Sequence, residues 1–334
     1  MLNPNAKLNP KIWNDDVEQS PIRQGFGDGL LQAGTEDESI VGLCADLTES
    51  TKMNLFAERF PKRFVQVGVA EQNLATVASG MAAMGKLPFI ASYTMFSPGR
   101  NWEQIRTTAC LNDMPVKIVG SHAGISVGPD GATHQMLEDI ALMRVLPNMV
   151  VVAPGDSIEA EKATKLVAEN GKPTYIRLAR EKTPIFSTEN TPFELGKAYV
   201  LRSGSDITLA GTGTMTYQLL MLARMLEEKG VSAEVLHVPT IKPLDEKAIL
   251  ESVAKTGRIV TAEEAQIAGG FGGAVAELLS EKQPAPLLRI GMHDRFGESG
   301  APNELLDHFN LTAEKMLPSV ERFIARVPQY KPGY

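Results

Sequence analysis

Residues 64–96 read FVQVGVAEQNLATVASGMAAMGKLPFIASYTMF. The stretch opens on a β-branched run, passes through a helix rich in small residues, and closes on a second apolar run, LPFIAS, ahead of Tyr93 and Phe96. Short apolar runs bounded by turn residues predict strands buried on both faces, which is the signature of a parallel sheet. The same unit recurs outward in both directions. SIVGLCAD lies before it, and PVKIVGS, MVVVAP, PTYIRLA, DITLAG, AEVLHV, RIVTAEE and LLRIGM lie after it. Helical patterns alternate with these runs: NWEQIRTTACL, QMLEDIALMRVL, SIEAEKATKLVAEN, MTYQLLMLARMLEEKG and PLDEKAILESVAKTG. Such alternation predicts an α/β fold of doubly wound, mainly parallel sheets with helices on both faces.

At 334 residues the chain is long for one core, which predicts two domains. EKTPIFSTENTPFELG, residues 181–196, carries two prolines, three threonines and no clear periodicity, and reads as the linker. The expected domains are therefore 1–190 and 191–334. The composition is 43% apolar and 22% charged, with a net charge of −7, which argues against a nucleic-acid surface. No run is long enough to span a bilayer, and the N-terminus is polar, without the apolar segment of a signal peptide. Two cysteines, Cys44 and Cys110, without CxxC spacing, fit a reducing cytoplasm and exclude a cysteine-only zinc site.

One short motif invites a phosphate-binding reading: Gly27-Asp28-Gly29 in GFGDGLLQAGTEDES, residues 25–39. A phosphate loop needs a strand, a glycine turn and then a helix N-terminus. Here DVEQSPIRQGF precedes it and has no strand character, whereas Ile22, Phe26, Leu30 and Ala33 fall at helical spacing. Pro21 and Gly34 are start and stop signals. The triplet is expected inside a helix. GGFGGA, residues 269–274, fails the GxGxxG register, and it and GTGT, residues 211–214, are explained by strand-to-helix packing.

The Val-Ala-Glu-Gln-Asn stretch within 64–96 resembles the pyrimidine-binding domain of transketolases. SHAGISVGPDGATHQMLEDIALMRVLPNMVVVAPGD, residues 121–156, is similar to the same family, and GMHDRFGESGAPNELL, residues 291–306, resembles its third domain. The resemblance runs from about Pro21 to about Ile324. A full transketolase has a diphosphate-binding, a pyrimidine-binding and a C-terminal domain. This chain looks like the last two, and so resembles the C-terminal subunit of a split transketolase. The resemblance implies thiamine diphosphate and Mg2+, both anchored mainly by an N-terminal diphosphate-binding partner subunit, with no metal ligands here. It also implies a heterotetramer with two copies of each chain.

Residue roles follow from the resemblance. Glu71 matches the glutamate that activates the cofactor. Tyr93 and Phe96 match aromatic positions lining the pyrimidine pocket, and Asp46 and Leu47 positions beside the thiazolium. Arg23, Ser50, His122 and Arg180 match a sugar-phosphate site, and two guanidinium groups, a hydroxyl and an imidazole are chemically suited to a phosphate. Asp130 and His134 match contacts to the sugar hydroxyls and the reacting carbonyl. His122 and His134 are candidates for proton transfer. Taken alone, Glu71 also reads as a helix-start carboxylate, Tyr93 as core, and His134 as a structural helix-start histidine. Cys44 reads as small and buried, not a nucleophile. The expected reaction moves a two-carbon ketol unit from a ketose phosphate to an aldose phosphate. Alternatives are a 1-deoxyxylulose-5-phosphate synthase-like or 2-oxo acid dehydrogenase beta-type subunit, or a non-catalytic assembly subunit. The phosphate set argues against a dehydrogenase, and Glu71 against a dead subunit.

Overall fold

Each of the ten apolar runs is a strand, and the strands assemble into two sheets in a computed structural model that describes residues 1–329. In chain order, β1 (Gln19–Pro21), α1 (Ile22–Glu36), β2 (Ile40–Cys44), α2 (Asn54–Arg59), β3 (Phe64–Gln66), α3 (Glu71–Ala83) and β4 (Leu87–Tyr93) come first. Next come α4 (Trp102–Gln104), continued by a π-helical turn at Ile105–Cys110, then β5 (Lys117–Ser121), α5 (Asp139–Arg144), β6 (Val150–Val152), α6 (Ser157–Glu169), β7 (Thr174–Arg177) and β8 (Lys182–Pro184). The remainder is β9 (Tyr199–Arg202), β10 (Ile207–Gly211), α7 (Met215–Glu228), β11 (Ala233–His237), β12 (Thr240–Lys242), α8 (Glu246–Thr256), β13 (Ile259–Gln266), α9 (Phe271–Lys282), β14 (Leu287–Met292), α10 (Pro302–His308) and α11 (Ala313–Arg326).

The larger sheet has seven strands in the order β12-β6-β7-β5-β4-β2-β3, and the smaller has five in the order β14-β13-β10-β11-β9. All pairs are parallel except β12 with β6 and β9 with β11. Side chains alternate across each strand. Val41, Leu43, Ile90, Ile118 and Tyr175 therefore face one core, while Ile40, Phe89, Ala91, Val119 and Ile176 face another. The first core runs on without a break into Leu236 of the second sheet and Phe271 and Val275 of α9. β12 adds to this union, because it follows a strand of the smaller sheet yet pairs with the larger one. The segment expected as a linker is fastened down. β8 pairs with β1, and the buried Asp156 carboxylate accepts from the N–H of Phe186 (3.0 Å) and from the N–H and hydroxyl of Ser187 (2.7 Å each).

Gly27-Asp28-Gly29 lies within α1. Its glycines mark close approach of backbones. A Cβ on Gly25 would lie 1.7 Å from the Ser157 carbonyl oxygen of α6, and one on Gly29 would lie 2.7 Å from that of Glu161. On the opposite side, a Cβ on Gly27 would lie 2.8 Å from the Lys52 carbonyl oxygen. Two glycines at i, i+4 spacing share a helix face, so α1 can seat directly on α6. The GGFGGA segment has an equally local explanation. α9 starts at Phe271, and the Phe271 and Gly272 N–H groups donate to the buried Glu263 carboxylate at 2.7 and 2.8 Å. An internal carboxylate thus takes the seat that an anion would occupy at this helix N-terminus.

Candidate active site

A parallel sheet delivers the carboxyl ends of its strands to one edge, and ligands of open α/β sheets bind there. Most of the candidate residues sit at the ends of β2, β3, β4, β5 and β7. After β2 the chain turns at Asp46, whose φ is +59° and whose N–H donates to Gln66 Oε1 at 2.7 Å. The Thr51 hydroxyl donates to the Leu47 carbonyl at 2.9 Å and holds the turn. Glu71 is the first residue of α3, where the helix dipole favours a carboxylate. It is 4% exposed and paired with Arg100, whose Nη1 lies 3.1 and 3.3 Å from its two oxygens. Asn101 Nδ2 donates to the Glu71 carbonyl at 2.9 Å and anchors the same turn.

The end of β4 carries Tyr93 and, three residues on, Phe96, their ring centroids 5.9 Å apart. His122, just past β5, stacks on Tyr93 at 3.8 Å, and His134 presents its edge to Phe96 at 5.4 Å and to Tyr93 at 6.4 Å. Four rings from three segments thus form one wall. Arg100 lies over the Phe96 ring at 4.2 Å, which joins this wall to Glu71. The backbone of His122 adopts φ +59°, an uncommon conformation that a tightly determined site can hold.

Arg23, in the first turn of α1, donates through Nη1 to the Ser50 carbonyl at 2.5 Å, so Ser50 meets Arg23 through its backbone. Arg180 donates to the Val127 carbonyl at 2.7 Å and lies 3.3 Å from Glu181. The two guanidinium groups feel each other: burial first, then Arg180, lowers the pKa of Arg23. Buried Arg23 Nε has no hydrogen-bond partner, which leaves one donor of this cationic pair unspent. His122 is pushed down to about 3, mainly by burial and then by Arg23, Arg180 and His134. It is therefore neutral at pH 7. With the Ser121 hydroxyl 2.8 Å from Nδ1, a tautomer protonated at Nε2 leaves that N–H as a donor. Asp130 is exposed on the loop that leads to His134. Cys44 is fully buried, and burial raises its pKa, so it is no nucleophile.

Sequence reasoning did not find Arg100, Asn101 and Gln66, because each acts on a site residue distant in the chain. Among the described residues, no cluster of three or more His, Cys, Asp or Glu is placed to hold a metal ion. No helix among them is long and apolar enough to cross a membrane.

Residues 18–185 match the family model of the transketolase pyrimidine binding domain, and residues 196–316 that of the transketolase C-terminal domain. A putative transketolase C-terminal section of Methanocaldococcus jannaschii is 44% identical over 298 residues, covering 88% of this chain and 93% of that protein. A 6-deoxy-6-sulfo-D-fructose transketolase subunit of a Clostridium species is 41% identical over 310 residues, covering 93% of this chain and 96% of its own. A solved structure described as a split gene transketolase, inactive beta4 tetramer, superposes with a TM-score of 0.85 at 43% identity, covering 91% of this chain and 98% of that one. The chain belongs to the transketolase family, and it carries that family's pyrimidine-binding and C-terminal domains.

Proposed function

We propose that this chain is the C-terminal subunit of a thiamine-diphosphate-dependent transketolase. It moves a two-carbon ketol unit from a ketose phosphate to an aldose phosphate, and it does so only together with a separate diphosphate-binding subunit. The observation that carries the reading is the convergence of a buried carboxylate, an aromatic wall and two guanidinium groups on one edge of one sheet. The donor set fits the pyrimidine half of the cofactor: Glu71 offers a carboxylate to a ring nitrogen, and Tyr93 and Phe96 offer faces to a flat heterocycle. When bound, thiamine diphosphate supplies the carbon nucleophile and electron sink that carbon–carbon cleavage next to a carbonyl requires.

The chain's own residues do the rest. Glu71 would hold the pyrimidine through its N1′ ring nitrogen, and Asp46 and Leu47 would border the thiazolium side of the cofactor. Arg23 and Arg180 hold the phosphate of the sugar, aided by the neutral Nε2–H of His122. His122 and His134 are assigned proton transfer at the sugar hydroxyl and carbonyl oxygens. Asp130 meets the sugar hydroxyls. The diphosphate and Mg2+ are assigned to the partner subunit, in a heterotetramer with two copies of each chain, working in the reducing cytoplasm. Relatives described as a C-terminal section and as an inactive beta4 tetramer support this division of labour.

The test is reconstitution with a diphosphate-binding subunit, with ketol transfer between sugar phosphates as the assay. The complex is expected to turn over, the chain alone to show negligible activity, and Glu71→Gln in the complex to abolish turnover while leaving assembly intact. Full activity of the chain alone refutes the split-enzyme reading. Normal turnover of Glu71→Gln refutes the cofactor assignment.

A further inference from the structure

We propose that Glu264, near the end of β13 in the smaller sheet, is a positioning residue for the guanidinium of Arg180 in the larger-sheet domain; the inference rests on the phosphate role of Arg180 proposed above. Glu264 is 2% exposed, and its carboxylate leaves its own sheet to meet the loop that follows β5. There Oε1 accepts from the Ser126 N–H at 2.6 Å, while Oε2 accepts from the Thr214 hydroxyl at 3.0 Å. The approach is so close that a Cβ on Gly124, whose φ is +84°, would lie 2.3 Å from Oε1.

The Ser126 N–H belongs to the single helical turn Ile125–Val127, and the Val127 carbonyl is the acceptor for Arg180 Nη1 at 2.7 Å. The turn spans only three residues, all buried, so a carboxylate bound at its centre helps set where the Val127 carbonyl points. Two other carbonyls of this loop meet one amide: Gln135 Nε2 lies 3.1 Å from that of Ile125 and 3.2 Å from that of Gly128, and 2.8 Å from that of Glu298 in the C-terminal region, its two N–H groups shared among the three. Glu264 itself cannot drift, because its backbone carbonyl accepts from Arg177 Nη2 at 2.7 Å, and Arg177 is fixed by the buried Asp139 at 2.8 Å. A charge-assisted bond between buried groups is directional and strong, so the smaller-sheet domain determines the aim of a substrate-binding group in the larger one.

The experiment compares Glu264→Ala, Glu264→Gln, Arg180→Ala and the Glu264→Ala/Arg180→Ala double variant in the reconstituted complex. KM and kcat are measured for phosphorylated and unphosphorylated acceptor aldoses, and hydrogen exchange of the Ser126 amide is measured on the full chain. Glu264→Ala is expected to raise KM for the phosphorylated acceptor about tenfold, to leave KM for the unphosphorylated one unchanged, and to speed exchange at Ser126. Glu264→Gln keeps an oxygen acceptor and restores most of the loss. The double variant is no worse than Arg180→Ala alone. If Arg180→Ala shows the selective KM rise and Glu264→Ala does not, the positioning role is wrong while the phosphate role stands. If Arg180→Ala affects both acceptors equally, both fall. Should Glu264→Ala not fold, Thr214→Val, which removes the donor to Oε2, must raise KM for the phosphorylated acceptor selectively; absence of that rise overturns the proposal.

Discussion

Two helical glycines, Gly25 in α1 and Gly80 in α3, are expected to respond to alanine with opposite signs. Each substitution gains about 1 kcal/mol from helix propensity. A methyl at Gly80 meets nothing within 4 Å, so the gain stands. A methyl at Gly25 would sit 1.7 Å from the Ser157 carbonyl oxygen, against ordinary contact near 3.4 Å, so α1 and α6 must part by about 1.7 Å. The obstacle is backbone and no rotamer change relieves it. Parting the helices also loosens Phe26, Leu30, Ala160 and Ala163, which share that core. Overpacking costs about 1–3 kcal/mol, and this case belongs at the upper end, giving a net loss of about 2 kcal/mol. The consequence reaches function, because Arg23 lies two residues before Gly25. Misplacement of a binding group by about 1 Å can cost about 10²-fold, so Gly25→Ala should lower kcat/KM for sugar phosphates in the complex by that order. The assays are urea denaturation of both variants, compared at constant m, and steady-state kinetics. If Gly25→Ala stabilises as Gly80→Ala does, the close seating of α1 on α6 is refuted.

Two further perturbations test the site and the junction between the sheets. The depressed pKa of His122 means that the unfolded chain binds its proton first: the stability is present above about pH 6.5 and is lost as pH falls toward about 3, by about 1.4 kcal/mol per pH unit. His122→Gln should flatten that acid limb in urea titrations at stepped pH, and an unchanged slope contradicts the reading. Arg177→Met strips the fully buried Asp139 carboxylate of its cation, leaving Tyr175 as a donor at 2.7 Å, and should cost about 3–5 kcal/mol by denaturation. A loss below about 1 kcal/mol would show the pair to be solvated.

The strands were legible because both faces of each are covered, so their sequences carry apolar runs: β2, β5, β7, β10 and β11 are buried at every position, with Lys117, Arg177, Glu234 and His237 the basic or acidic exceptions in composition. β9, only four residues long, was not, and nor were β1, β8 and β12, since three residues, with proline in QSP and KTP, carry no period. Their pairings depend on partners more than eighty positions away. The pattern QMLEDIALMRVL promises a longer helix than the observed Asp139–Arg144, because Gln135 and Met136 are drawn into the loop that faces the C-terminal region. The position of the candidate residues was legible for a simple reason. Once the strands are right, residues just past them must meet at one edge. What pairs with Glu71, or aims Arg180, was not legible, because those partners are chosen by packing.

β13 makes the same point at the scale of two adjacent residues. Its sequence IVTAEEAQ places two acids in a strand that is buried almost throughout, which would ordinarily argue against a strand. Neighbouring side chains of a strand point to opposite faces, so the two carboxylates leave in opposite directions. Glu263 turns to its own domain and caps α9 through two N–H groups. Glu264 turns to the other domain and holds the Ser126 turn. Each acid is tolerated because both its oxygens accept hydrogen bonds, Glu263 from two backbone N–H groups and Glu264 from the Ser126 N–H and the Thr214 hydroxyl. A slip of β13 by one residue would exchange the two faces and leave both carboxylates buried and unpaired. The register of one strand thus couples the packing of the C-terminal domain to the geometry of the loop beside Arg180, so this domain cannot fold correctly while leaving that loop free.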